Sequence, residues 1–163
     1  MQSKIDKKLQ GQPKLEWEAD RDTAGDQEYP GTNGCLSDES PAGAIMYGLE
    51  ADRTYIGFGL IWRARHLVCD RFLDFRAGRE LKAIVVKRGC AWYDPKKVKD
   101  WLCWKCLEGD LNCDPWTWFA REFTRDATEP LAQEGVAARF CEFVKETHQT
   151  VAAANKALAR RKV

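Results

Sequence analysis

The feature that most constrains this chain lies near its end. Val136, Phe140, Phe143, Thr147, Val151, Ala154 and Leu158 recur every three or four residues, the spacing of one face of an α-helix. Pro130 follows Thr128 and Glu129, and proline is welcome at a first helical position because its missing N–H would be unpaired there anyway. Arg160, Arg161 and Lys162 close the run with cations that the negative end of the helix dipole favours. The pattern predicts a long helix over 129–160.

The same punctuation recurs upstream. Ser40-Pro41, Asp94-Pro95 and Asp114-Pro115 each place a capping side chain before a proline. The first opens a helix through Ala44, Ile45 and Tyr47 to Leu49. A second is expected over 56–76, where Ile56, Leu60, Ala64 and Leu67 recur at helical spacing. Gly57 and Gly59 weaken its first turn and put the firm start near Leu60. Two more follow over 79–88 and 95–107, the first stopped by Gly89. After Pro115 another helix buries Trp116, Phe119 and Phe123. No run alternates polar and apolar residues between turn signals, so strands are not expected. Residues 1–39 mix charges with Gly, Pro and Gln without a sustained period, which reads as a disordered acidic arm. The expected fold is all-α: about six helices in one irregular bundle over 40–163, behind that arm.

Charge is unevenly spread. The net formal charge is +1, yet residues 79–105 hold eight Lys/Arg against three Asp/Glu, while 1–40 hold five against nine. Such a block can steer an anionic partner although the whole molecule is near neutral. Lys82, Lys87, Arg88, Lys96, Lys97 and Lys99 are the candidate phosphate contacts, each gaining by counterion release. Trp92 and Tyr93 in the intervening loop are candidates to stack on exposed bases. The bland reading makes the lysines a solvated face and the two aromatics part of the core.

Over 72–102 the chain resembles the SAP module, a helix–extended loop–helix unit of chromatin and nucleic-acid-associated proteins. The matching residues are Phe72-Leu73-Asp74-Phe75, Glu80-Leu81-Lys82, Lys87-Arg88-Gly89, Lys97-Val98 and Leu102. The loop is one residue short, and Asp94-Pro95 stands where the family has a glycine. The resemblance implies a helical hairpin over 79–107 and DNA contact through its basic side.

Seven cysteines are present. No apolar stretch follows the charged first residues, so no secretory signal is expected. The compartment expected is then nuclear or cytoplasmic, with reduced thiols. Cys103 and Cys106, three apart on an expected helix, share a face. With Cys90 and Cys113 they make a zinc set, against the alternative of no cofactor and thiols packed as small hydrophobes. Cysteine-hydrolase chemistry at Cys35 would need His66 or His148 as base, and no phosphate loop, zincin helix or nucleophile elbow is present. Enzymatic activity is not expected. Trp118 lies off the Trp116–Phe119–Phe123 stripe and is a candidate anchor for a protein partner. No apolar run reaches bilayer-spanning length. Two functions follow: a nucleic-acid-associated protein using 79–107, or a protein-interaction adaptor or regulator, of the kind a pathogen or mobile element encodes, without nucleic-acid binding.

Overall fold

The computed structural model describes residues 2–19, 31–36, 44–51, 56–63, 71–93, 101–106 and 130–160. It overturns the all-α expectation. Among these residues three α-helices pack beside a six-stranded antiparallel sheet. In chain order they are α1 (Gln2–Leu9), β1 (Leu15–Ala19), β2 (Gly31–Leu36), β3 (Ile45–Ala51), β4 (Ile56–Trp62), α2 (Arg76–Lys87), β5 (Ala91–Trp92), β6 (Trp101–Cys106) and α3 (Pro130–Arg160). A 3₁₀ turn, Phe72–Asp74, leads into α2. The strand order is β1-β2-β3-β4-β6-β5.

The expected helices over 41–49 and 56–76 are β3 and β4 over 45–49 and 56–62, and the end of the second is the 3₁₀ turn and the first residue of α2. Ile45, Tyr47 and Leu49 alternate toward the main core, and so do Phe58, Leu60 and Trp62. The opposite face hid that alternation, because it is mostly not polar. Met46 and Ile61 form a second cluster with Trp101, and of the remaining positions Gly48, Gly57 and Gly59 are glycine and only Glu50 is polar. These glycines answer to close approach. A Cβ on Gly48 would lie 2.6 Å from the Trp101 ring, and one on Gly57 would lie 2.1 Å from the Trp104 ring. At Gly59 it would meet the Cys103 carbonyl oxygen at 1.9 Å. Here the β4–β6 register shifts between Leu60 and Ile61. Leu102 is the extra residue, and it joins Cys103 in the core.

The arm expected over 1–39 is part of the fold wherever it is described. Ile5 and Leu9 of α1, Leu15 of β1 and Leu36 of β2 are all buried. Composition suggested disorder because apolar residues are sparse there, but each meets an extensive surface already built by α3 and the sheet. Of the helix expected over 95–107, the described part is β6. Its residues Leu102 and Cys103 pack toward the core while Trp104 pairs with Gly59. The helix expected around Trp116–Phe123 lies outside the described residues.

α3 spans Pro130–Arg160, against the expected 129–160. Its stripe, Val136, Phe140, Phe143, Thr147, Val151 and Ala154, is buried throughout. Phe140 and Phe143 meet Tyr47 and Phe58 edge-on or tilted, with centroids 5.1–6.2 Å apart. Two polar residues in the stripe are satisfied. The Thr147 hydroxyl donates to the Phe143 carbonyl (2.7 Å), and lies 3.1 Å from the Tyr47 hydroxyl, which is left to donate to it. Asn155 accepts from the Ile45 N–H (2.8 Å) and donates to the Ile45 carbonyl (3.2 Å). The β2–β3 ladder ends at Gly34↔Tyr47, so Asn155 supplies Ile45 with the partner β2 does not. All three helices contribute to the main core, giving a two-layer arrangement.

Candidate interaction surface

α2 presents Gly78, Leu81 and Val85 to the core. A Cβ on Gly78 would lie 2.2 Å from the Phe72 carbonyl oxygen, so the 3₁₀ turn lies directly on the helix start. The helix ends as the sequence suggests. Gly89 adopts φ +77°, its N–H bonds the Val86 carbonyl and the Cys90 N–H bonds that of Val85. This is a Schellman cap, which turns the residue after the glycine back toward the helix. It delivers Cys90 into the core.

The outer stripe of α2 carries Arg76, Arg79, Ala83, Val86 and Lys87, all exposed. Val86 is 48% exposed and Leu73, on the turn before it, is 37% exposed. Among the described residues these are the large apolar side chains left on the surface, and both fall on this segment. The arginines around them are held in place. Arg71 bonds Asp74 (2.6 Å) and Arg76 bonds Glu80 (2.7 Å). Arg79 donates to the Leu73 and Asp74 carbonyls at 3.0 and 2.7 Å. Exposed pairs of this kind add little stability, but they fix where the guanidinium groups sit. The Glu80 hydrogen bond raises the Arg76 pKa further, so its charge is permanent.

Among the described phosphate-contact candidates, Lys82 and Lys87 are on α2 and Arg88 directly follows it. Lys82 lies half-buried with its Nζ 5.7 Å from the Trp92 ring centre. Trp92 is on β5, stacked on Phe72 at 6.2 Å and 13°; it is packed rather than displayed. Tyr93 donates its N–H to the Leu102 carbonyl at 3.1 Å. Arg88 pairs with Glu146 of α3, and Lys87 is exposed on the last turn. Lys96, Lys97, Lys99 and Trp118 lie outside the described residues. Of the residues behind the SAP resemblance, Phe72-Leu73-Asp74 form the 3₁₀ turn, Glu80, Leu81, Lys82 and Lys87 are on α2, and Leu102 is on β6.

Where α2, β6 and α3 meet, Phe58, Arg88, Cys90, Lys105, Arg139, Glu142, Phe143 and Glu146 line a cleft of about 70 Å³. Lys105 reaches across it to the Arg88 carbonyl (3.2 Å). Cys90 and Cys103 stand diagonally across the β5–β6 ladder on its core side. Hydrogen bonding with Cys103, aided by the Lys105 charge, pulls the Cys90 thiol below its ordinary value. Burial, then interaction with Cys90, pushes Cys103 well above it. The helical reason for pairing Cys103 with Cys106 is gone, since both stand on β6. Cys113 is outside the described residues, among which no group of three or more potential ligands is placed to hold a metal. Nor is any helix among them long and apolar enough to cross a membrane. Cys35 stands within β2 rather than in the disordered arm expected there.

Sequence reasoning overlooked Leu73, Arg79 and Val86, and the α3 contributors to the cleft. A signal for Val86 existed. With Leu81 and Val85 facing inward, the next residue lies about 100° around the helix, pointing outward. Comparison with protein-family models, curated proteins and solved structures finds no match for this chain.

Proposed function

We propose that this protein is a non-enzymatic interaction adaptor, and that the outer stripe of α2 is its docking surface. One observation carries the reading. Leu73 and Val86 are exposed on a single segment, on either side of an arginine pinned by two backbone carbonyls. Apolar side chains among ordered arginines have the composition of protein interfaces, where Arg is enriched and Lys depleted. The partner that fits is an amphipathic peptide segment with acidic and apolar residues.

Nucleic acid is the second reading. It is favoured by the charge of residues 71–93, six Lys/Arg against two Asp/Glu. Local pairing of Arg71, Arg76 and Arg88 with carboxylates counts against it.

Anisotropy titrations of acidic Leu- and Phe-bearing peptides, and of duplex DNA, separate the two. The adaptor reading expects peptide binding that weakens at least ~10-fold, about 1.4 kcal/mol, in a Leu73→Ser/Val86→Ser variant. DNA binding that is steeply salt-dependent and indifferent to that variant would replace it with the second.

A further inference from the structure

Cys90 and Cys103 lie on the core-facing side of the β5–β6 ladder. Trp92 pairs with Cys103 and Ala91 with Trp104, which sets Cys90 diagonally from Cys103. Across that diagonal each thiol shifts the other's titration. The two differ in access. Cys103 is fully buried, whereas Cys90 forms part of the wall of the charged cleft. That cleft admits a few water-sized molecules. Its other walls include Arg88, Lys105 and Arg139 with Glu142 and Glu146. Cys90 follows Gly89, whose φ of +77° and lack of a side chain allow the small backbone shift that bridging a diagonal pair requires.

We propose that Cys90 is a peroxide-sensitive thiol, reached through the cleft, and that Cys103 resolves it into a Cys90–Cys103 disulfide. The Cys90 thiolate attacks one oxygen of hydrogen peroxide. The O–O bond breaks, hydroxide departs and takes up a proton as water, and Cys90 becomes a sulfenic acid. The Cys103 sulfur then attacks Cys90 sulfur. The S–O bond breaks, and the Cys103 proton leaves with that oxygen as a second water. Two thiols are oxidised by two electrons, and one peroxide is reduced to two waters. Cations beside the attacking thiol and a buried partner behind it are the features that select one cysteine for this chemistry. The new bond would tie the cap of α2 to β6.

Peptide mapping decides the matter without a variant. Trypsin releases Cys90 alone in 89–96 and Cys103 alone in 100–105. After brief peroxide treatment of the full chain, alkylation and non-reducing digestion, these two peptides are expected joined, and separated again by dithiothreitol. In Cys103→Ser, dimedone should label Cys90 as its sulfenic acid. Before oxidation, folded Cys90 should alkylate at least ~10-fold faster than Cys103. Peptide 89–96 linked to any other cysteine, or left unmodified while other thiols oxidise, overturns the proposal. So does equal alkylation of the two thiols.

Discussion

Replacing Asn155 by leucine isolates the joint between α3 and the sheet. Asn155 is buried and makes both of its described bonds to one residue, Ile45, at 2.8 and 3.2 Å. Leucine is close in size, so little cavity forms. The loss is polar: one N–H and one C=O of Ile45 are left buried without a partner. Each such group costs about 1–3 kcal/mol. The extra apolar surface of leucine returns about 1 kcal/mol. The net destabilisation is about 1–5 kcal/mol, a large part of the roughly 5–15 kcal/mol by which a domain is stable. At this chain length each kcal/mol lowers Tm by about 2–4 °C. Urea unfolding should show a lower midpoint at unchanged slope, and the Ile45 amide should lose hydrogen-exchange protection selectively. Lys156→Ala, one residue along and exposed, is the control and should change stability by under ~0.5 kcal/mol. An Asn155→Leu protein within ~0.5 kcal/mol of wild type, with Ile45 still protected, would refute the reasoning.

Three further outcomes follow from the packing. Gly59→Ala puts a methyl carbon 1.9 Å from the Cys103 carbonyl oxygen and should cost at least ~3 kcal/mol in urea unfolding. Gly11→Ala, at φ +73° with open space around it, should cost only the ~1 kcal/mol of left-handed backbone. Tyr47→Phe should lose about 1 kcal/mol, the worth of one buried hydrogen bond, because Thr147 keeps its bond to the Phe143 carbonyl. The Cys103 thiol, held well above its ordinary 9.0, keeps its proton in the fold while the unfolded chain loses it. Its contribution is complete below pH 9 and is lost as pH rises through the folded value. Cys90 is shifted the other way; its contribution is present above pH 9 and fades as pH falls. The difference in unfolding midpoint between wild type and Cys103→Ala should therefore shrink above pH 9, and a difference that grows there would count against the assignment.

How much of this was legible follows from which signals were one-sided. α3 was readable because its outer face is polar and its inner face apolar, so the 3.6-residue period stands out from Val136 to Leu158. Gly89 was readable as a stop because glycine takes the left-handed conformation of the cap without steric cost. β3 and β4 were not, because both faces of each strand are apolar or glycine except at Glu50. Ile45-Met46-Tyr47 and Leu60-Ile61-Trp62 read as unbroken apolar runs, which periodicity assigns to strand or helix with equal ease. Gly57 and Gly59 were the discriminating clue. They argue against a helix start, and the structure explains them as floor for the Trp104 ring and the β6 backbone.

The surface was harder to read than the core, for a related reason. A list of lysines and arginines gives charge along the chain, but a phosphate-binding face needs that charge assembled in space and free to act. Between Arg71 and Arg88 much of it is already committed. Arg71, Arg76 and Arg88 each meet a carboxylate, Arg79 meets two carbonyls and Lys82 lies over Trp92. None of these partners is predictable from spacing except the i,i+3 and i,i+4 pairs, Arg71–Asp74 and Arg76–Glu80. Glu146 is 58 positions from Arg88 and is brought to it only because α3 crosses the end of α2. Removing the carboxylates therefore tests the point more directly than removing the cations. If commitment is what restrains the basic segment, Glu80→Gln/Glu146→Gln should strengthen duplex DNA binding at low salt and steepen its salt dependence. Unchanged affinity in that variant would mean that the geometry of the segment, rather than its neutralised charge, sets what it binds.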